Sequence, residues 1–166
     1  MPKPKRAPLT RSQIMARIRS KDTKPEWLVR RLLHRQGFRY RVHVRGLPGT
    51  PDVAVKGRRL AILVHGCFWH AHEGCRHGRM PKTNLDFWLP KLTRNRQRDA
   101  EKLAALEGLG YRVLVLWECE VADTPEVAAR LAAFMAGGPL ATAPGRDAAP
   151  GAAAEAAPPL AATSRR

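Results

Sequence analysis

Residues 51–75 read PDVAVKGRRLAILVHGCFWHAHEGC. The stretch follows a turn, Gly46-Leu47-Pro48-Gly49-Thr50-Pro51. Asp52–Lys56 and Leu60–Val64 then form two short apolar-rich runs around Gly57, the pattern of a β-hairpin. Beyond the second run, residues 65–75 gather His65, His70, His72, Cys67, Cys75, Phe68 and Trp69 into eleven positions.

Working outward, Phe38, Tyr40, Val42 and Val44 alternate with basic residues, as in a half-buried strand ahead of the hairpin. Before it, Thr23-Lys24-Pro25-Glu26 is a capping box with proline in the first turn, where its missing N–H costs nothing. The helix it opens carries Trp27, Leu28 and Leu32 and stops at Gly37. Thr10-Arg11-Ser12-Gln13 opens a shorter helix with Ile14, Met15 and Ile18. Downstream, a helical pattern runs near residues 84–107, with Pro90 expected to kink or split it. An apolar strand, Tyr111–Trp117, follows, and a last helix opens at Asp123-Thr124-Pro125-Glu126. The order α, α, β, β, β, α, β, α predicts an α/β fold with a mixed central sheet flanked by helices.

This domain is expected over residues 10–137. Residues 1–9 read as a basic N-terminal arm. Residues 138–166 are rich in Ala, Pro and Gly with few large apolar groups, and are expected to be a disordered tail.

Charge narrows the function. Lys plus Arg number 30 against 14 acids. Residues 1–45 hold most of the excess, with only Asp22 and Glu26 as acids. A field this positive favours an anionic partner, nucleic acid first; a merely solvated, charged surface is the plainer reading. No apolar run reaches the length of about 18 residues that spans a membrane. MPKPKRAPLTRSQ is basic but has no apolar segment, so secretion is not expected.

Three cysteines cannot all pair as disulfides. Cys67, His72 and Cys75 lie within nine residues, and Cys119 ends the last apolar strand. Together they make a Cys₃His set suited to tetrahedral Zn²⁺, closed to substrate and therefore structural. His70 and His77 stand close enough in sequence to serve in place of His72. With one histidine on zinc, His65 and His70 remain to bond a phosphate or move a proton. Asp52, at the start of a strand after a tight turn, is placed to hold Mg²⁺ against a phosphate; the plainer reading is a turn residue. Lys91, Asn95 and Arg98 share one helical face that fits a DNA backbone or, more plainly, solvent.

RSQIMARIRSKDTKPE, GLPGTPDVAV, VHGCFWHAH, PKTNLDFW, the Lys91/Asn95/Arg98-Asp99 pattern and VLVLWEC together resemble the very short patch repair mismatch endonucleases, which nick DNA at T:G mismatches. The resemblance covers about residues 10–121. It implies a restriction-endonuclease-like fold. It implies Mg²⁺ on Asp52 and the carbonyl of Val64, His70 as general base, His65 on the scissile phosphate, and Glu26 in the His70 and metal-water network. It places the zinc set on Cys67, His72, Cys75 and Cys119. Most nucleases of that fold carry an acid and a lysine on the second hairpin strand; LAILV has neither, so histidine must replace lysine chemistry here.

Phe68 and Trp69 then read as a wedge driven into the base stack, with Met15 entering from the other groove. Core packing is the competing reading. The implied partner is double-stranded DNA with a T:G mismatch, met by a monomer in the cytoplasm at the nucleoid, with mismatch-repair proteins as further partners. A restriction-type endonuclease of similar fold and a non-catalytic zinc-stabilised DNA-binding module are the alternatives.

Overall fold

The computed structural model describes residues 19–137. The helix expected from Thr10, including Met15, and the two terminal segments lie outside the described residues.

Helix α1 spans Lys24–Arg35. Its capping box is formed: the Glu26 carboxylate returns to accept the N–H of Thr23. The chain leaves the helix through Gly37 at φ +77°, a conformation that costs a residue with a Cβ. Strand β1 is Val53–Val55, and β2 is Leu60–His65. A 3₁₀ turn, Lys56–Arg58, joins them into the expected hairpin. Helix α2 spans Leu85–Gly108, β3 spans Arg112–Trp117, and α3 spans Pro125–Ala136. Thr124 caps α3, its hydroxyl accepting the N–H of Val127 at 3.4 Å.

The sheet order is β1-β2-β3. β1 is antiparallel to β2, with Val53 opposite Ile62 and Val55 opposite Leu60. β2 is parallel to β3, from Leu60 beside Arg112 to His65 beside Trp117. A parallel pair needs a long crossover, and residues 66–111 with α2 supply it.

Strand alternation sorts the core into two layers. Leu60 and Ile62 of β2 and Leu114 and Leu116 of β3 pack with Val29, Leu32 and Leu33 of α1 and Leu131, Phe134 and Met135 of α3. The intervening Ala61, Leu63, Val113 and Val115 pack with Leu103 and Leu106 of α2. β2 is thus covered on both faces, which is why LAILV is continuously apolar.

Two expectations are corrected. Residues 38–44 do not form a strand: Arg41 pairs with Ala54 in an isolated bridge and the ladder goes no further. His43, at φ +47°, breaks the extended run, and its ring meets Glu26 and Arg30 of α1. Among the described residues the sheet therefore has three strands, one fewer than the pattern predicts. Pro90 does not split α2, which runs through it as one helix. It lies in the second turn, so only the Asp86 carbonyl loses its helical partner.

No helix among the described residues is long and apolar enough to cross a membrane.

Candidate active site

β2 and β3 end side by side at His65 and Trp117. Asp52 precedes β1, which runs the other way, so it reaches the same edge of the sheet. The backbone N–H of Val64 donates to Asp52 Oδ2 at 2.7 Å, joining the two strands at that point. Burial pushes the Asp52 carboxyl up to about 6; the Val64 N–H opposes this and the nearby Glu26 charge adds to it. Asp52, with the adjoining Val64 carbonyl, fits a hard oxygen-seeking ion such as Mg²⁺.

His65 continues the alternation of Ala61 and Leu63, so its side chain belongs to the α2 face. After it the chain folds back: the N–H of His70 donates to the Gly66 carbonyl at 3.2 Å, and that of His72 to the Cys67 carbonyl at 2.9 Å. This turn lays the His70 ring on His65, with centroids 4.0 Å apart and planes 7° from parallel. His70 Nδ1 is hydrogen-bonded to Asp99 Oδ2 of α2, and Lys102 Nζ lies 3.4 Å from Asp99 Oδ1. A carboxylate only accepts, so Nδ1 carries a proton and Nε2 is the ring nitrogen left without this partner. Burial, then the neighbouring His70, push His65 down to about 4, so it is neutral at pH 7.

Asp52, His65, His70, Asp99 and Lys102 line one cavity of about 210 Å³. Glu26 lines it too, but its carboxylate is occupied. It accepts from the N–H groups of Asp22 and Thr23, the Thr23 hydroxyl and Arg30. Its contact with the site runs through His43, whose Nε2 is 3.7 Å from Glu26 and whose Nδ1 is 4.0 Å from Asp52.

The donor atoms of Cys67, His72, Cys75 and Cys119 all lie within 4.8 Å of one another. Tetrahedral Zn²⁺ with Zn–S near 2.3 Å sets sulfur atoms roughly 3.8 Å apart, so the cluster fits it. His72 supplies the ring nitrogen: Nδ1 is 3.4 Å from Cys119 Sγ. The other two histidines face elsewhere, His70 to Asp99 and His77 to the Arg76 guanidinium. The His72 ring stacks on Trp117 at 4.0 Å. Gly78 packs so closely on the His72 backbone that a Cβ would collide with its carbonyl. Burial and the two adjacent thiols push Cys119 up to about 12, and burial raises Cys67. A cation is what would hold these sulfurs together as thiolates.

Beside this cavity opens a larger cleft of about 950 Å³, lined by Trp69, Phe87, Trp88, Lys91 and Glu118. Phe68 and Trp69 meet edge to face at 5.1 Å, and Phe68 meets the buried Trp88 the same way. Neither Phe68 nor Trp69 belongs to the two core layers; both are half-buried. Lys91 Nζ sits 5.1–5.6 Å from the rings of Phe87, Trp69 and Trp88. Asn95 donates to the Trp69 carbonyl at 2.9 Å and accepts from Arg98. The expected DNA-facing residues of α2 are thus brought to the aromatic loop, with Asn95 bracing it.

The DNA mismatch endonuclease Vsr family model matches residues 5–76. The type II nicking enzyme V.XorIIP of Xanthomonas oryzae pv. oryzae is 52% identical over 125 residues, covering 75% of this chain and 91% of the relative. The type II nicking enzyme V.NmeAIP of Neisseria meningitidis is 47% identical, over 67% of this chain and 79% of the relative. DNA mismatch endonuclease Vsr of Escherichia coli is 44% identical, over 66% and 70%. The chain belongs to the Vsr family. It is a Vsr-type DNA endonuclease.

Sequence reasoning gave no role to five residues that this Vsr-family site contains. Asp99 stands in a quoted motif, but nothing local pairs it with His70. His43 reads as a strand residue, and Lys102 as one of many surface cations. Phe87 and Trp88 read as helix positions, and only packing joins them to Trp69.

Proposed function

We infer that this endonuclease nicks one strand of duplex DNA beside the T of a T:G mismatch, such as arises by deamination of 5-methylcytosine. The observation that carries the chemistry is the Asp99–His70 pair stacked on neutral His65 in the cavity of Asp52. Asp99 holds the His70 Nδ1–H, which leaves Nε2 to take a proton from water. The resulting hydroxide attacks phosphorus; the P–O3′ bond breaks and the departing 3′-oxygen takes a proton from water, leaving a 5′-phosphate and a 3′-hydroxyl. Neutral His65 donates a hydrogen bond to the phosphate without competing for the water's proton. Asp52 and the Val64 carbonyl would hold Mg²⁺, which would supply charge neutralisation at the phosphate. The Cys67, His72, Cys75 and Cys119 cluster holds a structural Zn²⁺ that fixes the loop carrying His70 and the aromatics.

The mismatch preference is supported by the aromatic loop beside the cavity. A T:G wobble stacks less well than a matched pair, so inserting Phe68 and Trp69 costs less there. The names of the relatives, nicking enzymes and a mismatch endonuclease, favour the same reading. Such an enzyme works as a monomer on the chromosome, in the cytoplasm at the nucleoid, and mismatch-repair proteins are its natural partners.

The test is a nicking assay on duplexes with and without one T:G pair, in Mg²⁺ or EDTA. Mg²⁺-dependent nicking of the mismatched duplex is expected. Equal cutting of matched duplex would make it a restriction-type nuclease, and binding without cutting would make it a zinc-stabilised binding module.

A further inference from the structure

We propose that Lys102 is a positioning residue for strand nicking, acting through Asp99 on the general base His70; this rests on the endonuclease reading above. β2 offers no lysine to the site, since it reads LAILVH. Lys102 enters from α2, three residues after Asp99 and on the same face of that helix.

The two ends of the Asp99 carboxylate are held by different groups. Oδ2 takes the His70 Nδ1–H, and Oδ1 faces Lys102 Nζ at 3.4 Å. A carboxylate restrained at both oxygens cannot rotate about its last bond without losing one partner. Without the ammonium, Oδ1 turns to water and the aim of Oδ2 at His70 is no longer unique.

The lysine is itself confined. A Cβ built on Gly49 would lie 3.0 Å from Lys102 Cδ and 3.1 Å from its Cβ, so the stem runs against the bare backbone of that turn. Gly49, at φ +70°, belongs to the turn that delivers Asp52 three residues later. One turn thus shapes both sides of the cavity. It sets Asp52 at the mouth of the hairpin and gives Lys102 a track toward Asp99.

Stability does not explain the arrangement. The Lys102 side chain is 39% exposed, and an ion pair so open to water contributes little to folding. Its worth lies in orientation, where a small misplacement of a base slows the reaction without weakening binding.

Single-turnover nicking and duplex affinity are measured for Lys102→Met, Lys102→Arg, Asp99→Asn and the Met/Asn double variant. The hydrogen-bonded Nδ1 proton of His70 is followed by NMR in the DNA-free proteins. Lys102→Met is expected to nick about 10- to 100-fold slower, part of what a general base supplies, with affinity changed less than about twofold. Lys102→Arg restores most of the rate. In the Asp99→Asn background, Lys102→Met adds nothing further. The His70 Nδ1 proton resonance shifts in Lys102→Met and returns in Lys102→Arg. An unchanged rate and resonance in Lys102→Met overturn the proposal. Rate losses that multiply with Asp99→Asn overturn it too, because they place Lys102 on the phosphate. The NMR arm needs no DNA, so it decides the matter even if a T:G duplex is not nicked.

Discussion

The His65 and His70 rings lie face to face, 4.0 Å apart, yet of the two only His70 is hydrogen-bonded to the nearby Asp99 carboxylate. Two imidazolium rings at this distance would repel strongly. The pair is therefore divided: His70 is equipped to receive a proton, and His65 is held neutral by burial and by its neighbour. Two chemically identical side chains have different tasks because one faces Asp99 and the other lies under the sheet edge.

Replacing Asp99 by Asn tests that division. The amide keeps the shape but can donate to Nδ1, turning the imidazole to the wrong tautomer. Nicking should fall about 10²- to 10⁴-fold, the range that general-base catalysis supplies, while mismatch affinity stays within about threefold. A rate near wild type in single-turnover assays would remove Asp99 from the mechanism.

Asp52 is where the proposed metal dependence is open to test. Its carboxyl rises to about 6 when buried without a cation, so below that pH a proton competes with Mg²⁺. The Mg²⁺ concentration for half-maximal nicking should be flat above pH 7 and rise roughly tenfold per unit below about pH 6. The folding sign is opposite. The native state binds this proton more tightly than the unfolded chain, so its contribution to stability falls as pH rises from about 4 to 6. Added Mg²⁺ should therefore raise Tm at pH 8 and much less at pH 5. Asp52→Ala should abolish both the nicking and the Mg²⁺-induced shift while retaining mismatch binding.

Zinc analysis of protein purified without chelator should return one tightly held ion per chain. Cys119→Ala leaves the loop and β3 untied, and a loss of about 3 kcal/mol would lower Tm by roughly 10 °C. Metal-free protein with an unchanged melting curve would show that the Cys₃His cluster holds no structural ion.

Trp69 and Trp88 should separate stacking from packing. Trp69 is half-buried at the cleft, whereas Trp88 is 4% exposed beneath it. Base stacking is worth about 1–3 kcal/mol, so Trp69→Ala should weaken mismatch binding roughly 5- to 150-fold and barely move Tm. Trp88→Ala should cost about 3–5 kcal/mol of stability. A large melting drop for Trp69→Ala, with normal affinity per folded molecule, would make that ring core.

The amino-acid sequence alone determined the local elements. Thr23 and Glu26 mark the start of α1, Thr124 that of α3, and the apolar run LAILV marks a strand buried on both faces. These signals lie within a few residues of one another, where capping bonds and side-chain periodicity act. The clustering of Cys67, Cys75 and Cys119 with a histidine was legible because thiols and imidazole at short spacing have few other uses, though the place of His72 in it, rather than His70 or His77, required the fold. Where the local signal misled, a tertiary contact had intervened: the alternation at Phe38–Val44 looks like a strand, but the His43 ring turns to Glu26 and Arg30. Asp99 and Trp88 could not be read out, because His70 and Phe68 lie on another segment; Lys102 follows Asp99 on the same helix, but has no role until His70 gives Asp99 one. His70 meets Asp99 only once the crossover lays α2 on the face of β2 that carries Ala61, Leu63 and His65. A carboxylate on a helix is a solvated charge until packing sets a ring against it, and that depends on the strand's parity and the helix's rotation together.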